Sequence, residues 1–216
     1  MLGSFPPPHR RWCFDFFYPN FSNQMWQVFG LVFYGDAMRL VDSEHKTFRL
    51  EDIKALLSER GIAIYDTACA VRRLSGNASD KDLEIVEKTD IPLLLSKIPL
   101  CHDIVCTGQK SFSVLTEDYG VPVPMMGEYN EFIINTRNLR LWRMPSTSRA
   151  YPMPLDQKAH HYRNMMQQTG ILESENEKLK QRKAHPDASR HPSKEGKAAA
   201  GQFSPPLEGC PQGGVG

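Results

Sequence analysis

Apolar positions recur at helical spacing over Glu51–Gly61, where Ile53, Leu56 and Leu57 share one side and Gly61 supplies the stop. Ile62–Tyr65 then reads as a short buried strand ending at Asp66. The same alternation follows downstream. Ile91–Ile98 is predicted helical, Ile104–Thr107 is a second short strand running into Gly108, and Lys110–Tyr119 is the next helix. Glu131–Ile134 and Leu139–Met144 flank the turn Asn135–Asn138 as a hairpin-like pair, and Gln157–Gln168 closes the pattern as a helix. Further upstream, the aromatic-rich stretch Trp12–Gly30 leads into a helix starting at Ser22 or Asn23, one of which caps it. Strands alternating with helices predict an α/β fold with parallel strands at its centre. In such folds sites gather at the carboxyl ends of the strands. Polar breaks fall there at Asp66, at Thr107-Gly108 and at Pro145-Ser146-Thr147-Ser148. Gly3–Pro8 looks like the loop after a further, first strand, of which only Met1 and Leu2 stand in the chain; that strand is expected to be truncated.

Composition narrows the picture. The chain has 216 residues, 40% apolar and 24% charged, enough for one domain with a core and too little for two with a linker. From Glu173 to Gly216 large apolar side chains are scarce and helix breakers common, so the domain is expected over 1–172 and a polar, disordered tail over 173–216. The balance of 26 Lys+Arg against 25 Asp+Glu, net +1, argues against strong non-specific polyanion binding but leaves room for a local phosphate patch. No apolar run reaches the length of a membrane span, and the N-terminus has no hydrophobic stretch of the secretory-signal kind. Five scattered cysteines without CxxC pairing are expected to be reduced thiols, with no metal centre. His160 and His161 are adjacent on a helix and point in different directions, so no metal pair is expected there either.

Two segments carry candidate chemistry. Trp12–Gly30 packs many aromatic rings around Asp15, Asn20 and Asn23. Most of these rings read as core, but Tyr18 and Asn23 also suit a planar heterocycle, which needs a ring to stack on and an amide to pair with its polar edge. Met144–Pro152 reads either as a surface loop capping the next helix or as a phosphate grip. In the second reading Ser146, Thr147 and Ser148 offer hydroxyl and N–H groups while Arg149 and Tyr151 add charge and bulk.

Taken together and in order, these stretches resemble the uracil-DNA glycosylase superfamily, in particular its mismatch-uracil and hypoxanthine glycosylase-like branch. The family's G-[SI]-x-P-[SG] motif is similar to Gly3-Ser4-Phe5-Pro6-Pro7, and its Y-Y-x-x-P-x-N-x-F-W region to Phe17–Trp26. Its G-[IV]-x-[LI]-[WY]-D stretch is similar to Gly61–Asp66, with Arg72 or Arg73 near the usual basic position. The strand-plus-glycine element is similar to Val105–Lys110, and L-P-S-T-S-P-A to Met144–Ala150. The resemblance spans roughly residues 2 to 171. Departures are Ser4 where many relatives have Asn or Asp, Arg149 where the branch has Pro, and Leu74–Asp80 in place of a G-S-L-D-S-like pattern.

The resemblance implies a three-layer α/β/α sandwich around a short, mainly parallel four-stranded sheet. It also implies a monofunctional DNA glycosylase of base excision repair. Such an enzyme hydrolyses the N-glycosidic bond of a deaminated or damaged base, uracil or hypoxanthine foremost, without cofactor, metal or strand cleavage. The alternative is a catalytically weak or inactive nucleic-acid-binding relative. The implied partner is double-stranded DNA and the implied protein a monomer, cytoplasmic and DNA-associated, as the branch is widespread in bacteria. Asn23, Asp15 and Ser4 are the candidate catalytic residues, and Phe5, Phe17, Tyr18 and Asn20 the candidate base pocket. Gly3, Pro6, Pro7, Lys110, Pro145, Ser146, Thr147, Ser148, Arg149 and Tyr151 are expected to contact DNA, with Asp66, Arg72 and Arg73 as structural helpers.

Overall fold

In the computed structural model, residues 1–74 and 83–173 are described. The expected tail, from residue 174 on, and most of the serine-rich stretch after Leu74 lie outside them. A five-stranded sheet forms the centre. It is built from β1 (Leu2–Gly3), β4 (Tyr65–Asp66), β7 (Asp103–Cys106), β8 (Tyr129–Ile134) and β9 (Arg137–Arg143) in the order β4-β1-β7-β9-β8. The first four are mutually parallel, and β8 turns back antiparallel on β9 at the edge. The helices are α1 (Met25–Tyr34), α2 (Leu50–Glu59), α3 (Ile91–Ser96), α4 (Gln109–Tyr119) and α5 (Leu155–Gln168).

The three layers follow from side-chain alternation along the two longest central strands. On β7, Val105 faces a core shared with α1, α2 and α5, while Ile104 and Cys106 face a second core shared with α3 and α4. On β9, Trp142 joins the first core, with Leu139 and Leu141 in the second. Each face of the sheet is thus covered by helices, as parallel strands require. Among the described residues no helix is long and apolar enough to cross a membrane.

β1 is truncated, as expected. It is only two residues long, yet it takes an inner place in the parallel region, between β4 and β7. Leu2 pairs with both Tyr65 and Cys106, and Gly3 with Asp66. Backbone N–H groups of Tyr65, Thr67 and Thr107 donate to the carbonyls of Met1, Gly3 and Leu2 at 2.9, 2.9 and 3.1 Å. Two hairpins were not anticipated: β2 (Val41–Asp42) with β3 (Thr47–Phe48), and β5 (Ala68–Arg73) with β6 (Leu83–Lys88). The helix after the aromatic stretch starts at Met25, slightly later than expected, because Asn20 and Asn23 build turns ahead of it. Asn20 Oδ1 accepts from Ser22 N and Asn23 Oδ1 from Met25 N.

Candidate functional site

The carboxyl ends of β1, β4, β7 and β9 lie side by side, so Gly3-Ser4, Asp66-Thr67, Thr107-Gly108 and Met144–Ser148 emerge along one edge of the sheet. Strand order changes direction around β1, which makes this edge the crevice where open α/β sheets bind ligands. Gly3 is buried there for a steric reason. A Cβ on it would stand 2.3 Å from Asp66 Oδ1 and 3.4 Å from the Tyr18 hydroxyl. The bare glycine therefore lets Asp66 and Tyr18 close over β1. Gly3→Ala should force the Asp66 carboxylate aside and cost about 1–2 kcal/mol, read as a lowered urea midpoint at unchanged m-value. An unchanged midpoint would mean that Asp66 yields freely.

Two threonines secure this edge. Thr67 Oγ1 donates to Gly3 O at 3.1 Å and Thr107 Oγ1 to Leu2 O at 3.1 Å. The Tyr18 hydroxyl lies 2.6 Å from Thr107 Oγ1, a long-range contact that pins the aromatic segment to the end of β7. Tyr18 makes this contact from a left-handed backbone, φ 52°. For a bulky residue that conformation costs of the order of 1–3 kcal/mol and persists only where surrounding contacts over-determine it. Here those contacts are the Thr107 hydroxyl and the edge-on ring of Trp26, 6.2 Å between centroids.

The serine-threonine loop after β9 is held from beneath by its carbonyls. Tyr162 Oη donates to Pro145 O at 3.1 Å, Gln24 N to Thr147 O at 2.9 Å, and Lys158 Nζ to Ser148 O at 2.8 Å. Lys158 Nζ also donates to Gln24 Oε1 at 2.8 Å. The hydroxyls take the reverse role toward the loop's own backbone, Ser146 Oγ accepting from Ser148 N and Ser148 Oγ from Ala150 N. Each hydroxyl proton is left to be given elsewhere. Ser146 also faces the glycine at the start of α4, where a Cβ on Gly108 would lie 3.9 Å from Ser146 Oγ. Burial pushes the Lys158 ammonium down from its ordinary pKa and the Tyr162 phenol well up.

The other expected residues are more scattered. Asn23 is half-buried and adjoins Gln24, hence the serine-threonine loop. Its carboxamide oxygen is engaged with Met25 N at 2.8 Å, so the NH2 is the group it can offer a ligand. Asp15 is 88% exposed, 3.8 Å from His9. Pro6 O accepts from Arg73 at 2.6 Å and Pro7 O from the Trp12 indole at 2.7 Å, so the first loop is also held by its carbonyls. Arg72 instead pairs with Glu84 across the β5–β6 hairpin at 3.1 Å. Phe17 packs beside Tyr65 and Phe16. Phe5 and Lys110 are half-buried, Lys110 in the first turn of α4. Arg149 is exposed and Tyr151 half-buried. Cys13, Cys101 and Cys106 are free thiols. Among the described residues no group of three or more His, Cys, Asp or Glu side chains is disposed to hold a metal ion.

Lys158, Tyr162, Gln24 and Thr67 went unnoticed in the sequence. Lys158 did carry a signal. With Ala159, Tyr162, Met165 and Met166 it completes the buried stripe of α5, an odd place for a lysine unless its ammonium has acceptors waiting. No family model, no curated protein and no solved structure matches the chain.

Proposed function

We propose that the protein is a DNA glycosylase that removes a deaminated or otherwise damaged base, uracil or hypoxanthine foremost, from double-stranded DNA without cutting the strand. The observation that carries this reading is the convergence along one sheet edge of Gly3–Pro7, Asp66, Thr107–Gly108 and Pro145–Ser148, four stretches far apart in the chain, with Tyr18 tied to Thr107 among them. In this reading the two carbonyl-tethered loops grip the DNA backbone with N–H and hydroxyl donors. The damaged nucleotide flips out, at an unstacking cost of a few kcal/mol that is lowest for a mispaired base. Tyr18 stacks on the flipped ring, and Arg149 or Tyr151 fills the gap left in the duplex.

Asn23 cannot act as a general base, because a carboxamide does not take up a proton near neutrality. Its NH2 instead donates to an oxygen of the base or of the attacking water. The C1′–N bond breaks with both electrons leaving on the base, water oxygen bonds to C1′, and one water proton is released to the base or to solvent. Stabilisation of the departing base, and of the cationic sugar by flanking phosphates, then carries the rate.

The test is base release from duplexes containing uracil, hypoxanthine, xanthine or alkylated bases, revealed as strand breaks only after alkali. Release of one base, reduced about 100-fold by Asn23→Ala while duplex binding is retained, is the expected result. Failure of the folded protein to release any of them, with duplex binding intact, would leave a glycosylase-like binding protein.

A further inference from the structure

We infer that Lys158 is a positioning residue for the phosphate grip: its buried ammonium ties the Ser148 carbonyl to the Gln24 side chain, locking the Pro145–Ser148 loop onto the start of α1 with its donors turned outward. The inference deepens the glycosylase reading and rests on it for the identity of the ligand, a phosphate of the DNA backbone.

Three observations carry it. Lys158 is fully buried, and its Nζ reaches two acceptors at 2.8 Å that belong to different parts of the site. Gln24 in turn gives its N–H to Thr147 O at 2.9 Å, so lysine, glutamine and loop close a ring of hydrogen bonds. One helical turn further along the same stripe of α5, Tyr162 holds Pro145 O, so both ends of the loop rest on one helix. With the carbonyls of Pro145, Thr147 and Ser148 occupied from beneath, and the N–H groups of Ser148 and Ala150 taken by hydroxyls within the loop, the loop is left to present the hydroxyl protons of Ser146 and Ser148. That is the polarity an anion requires.

The charge supplies a second reason. Both acceptors of Lys158 are neutral, an amide and a peptide oxygen, so the ammonium is buried without a carboxylate on its Nζ. A methionine of similar length would fill the place at less desolvation cost. A positive charge under the loop makes sense where a negative group docks above it, since the low-dielectric surroundings leave the attraction weakly screened. The Tyr151 ring centroid lies 5.7 Å from Nζ, within reach of a cation–π contact.

The experiment compares the wild-type protein with Lys158→Met and with two variants of its partner, Gln24→Glu, which keeps the acceptor, and Gln24→Leu, which removes it. The probe is a short duplex carrying a tetrahydrofuran abasic-site analogue, titrated over a range of salt, with amide hydrogen exchange followed at Ser148 and Ala150. Lys158→Met and Gln24→Leu should weaken binding about 10- to 100-fold, the range for a hydrogen bond to a charged group. Lys158→Met, which removes the charge, should flatten the salt dependence by about one phosphate contact without lowering the urea midpoint. Gln24→Leu, which keeps the charge, should leave the slope unchanged and lower the midpoint, and both should speed exchange at the loop. Gln24→Glu should keep wild-type exchange at the loop, because the tie survives, yet weaken binding, because its carboxylate neutralises the ammonium beneath the docked phosphate. A purely structural lysine would instead lower the midpoint and leave the salt slope unchanged, which would overturn the inference, as would unchanged binding and exchange in both variants. If Lys158→Met does not fold, Gln24→Leu decides. If the wild-type protein does not bind the duplex, the glycosylase reading fails, and loop exchange in the variants still decides whether the tie positions the loop.

Discussion

Raising the pH from about 9 to about 12 is expected to remove roughly 4 kcal/mol of native stability through Cys106 alone. Cys106 lies on β7 in the second core, fully buried, and burial pushes its thiol up to about 12 from an ordinary 9. The nearby amino terminus and the Ser111 hydroxyl offset only part of this. An unfolded chain gives up the proton near 9, whereas the native one holds it until about 12. Between those values the native state binds more protons, so its stability is complete below the lower value and is lost as pH rises toward the upper one. The slope is about 1.4 kcal/mol per pH unit. The buried Tyr162 phenol, also raised, acts in the same direction, so the wild-type curve alone does not isolate the thiol. Urea midpoints measured across this range for wild type and Cys106→Ala do: the two curves should converge as pH rises. Parallel curves would show that the thiolate is solvated in the native protein.

Gly30→Ala is the second large effect, and two principles disagree about its sign. Gly30 is interior to α1, where alanine is favoured over glycine by about 1 kcal/mol in helix propensity. A Cβ at this position, however, would lie 2.4 Å from the Asp36 carbonyl oxygen and 3.2 Å from the carbonyl carbon and oxygen of Ala37. These are backbone atoms of the chain folding back after α1, and Asp36 N also donates to Gly30 O at 3.3 Å. Neither can swing aside as a side chain would. The clash should therefore outweigh propensity, for a net loss of about 2–3 kcal/mol in urea unfolding. A stabilised variant would show that the Asp36–Ala37 turn moves at little cost.

How far each element was legible depended on where its determinants lie. α2 was legible because Ile53, Leu56 and Leu57 repeat at helical spacing before Gly61, and β7 because a short apolar run ends at Thr107-Gly108. β5 was not: Ala-Cys-Ala-Val-Arg-Arg does not alternate by two, and its pairing with β6 carries register shifts between Ala68 and Val71. The site divides in the same way. Ser146, Thr147 and Ser148 attracted notice as a polar cluster, and the rings of Trp12–Gly30 as a dense aromatic run. Lys158 did not, because its acceptors lie 134 and 10 residues away along the chain.

By itself, then, the sequence determined the α/β class, most helix boundaries and the polar breaks at the strand ends, because each depends on local periodicity or on a nearby glycine or cap. Only the tertiary structure decided that a two-residue β1 pairs on both sides, between β4 and β7, that Asp66 and Tyr18 close over Gly3, and that Lys158 and Tyr162 carry the loop after β9. Those outcomes depend on ladder hydrogen bonds and buried donors meeting acceptors from remote segments, and no local pattern encodes such a meeting.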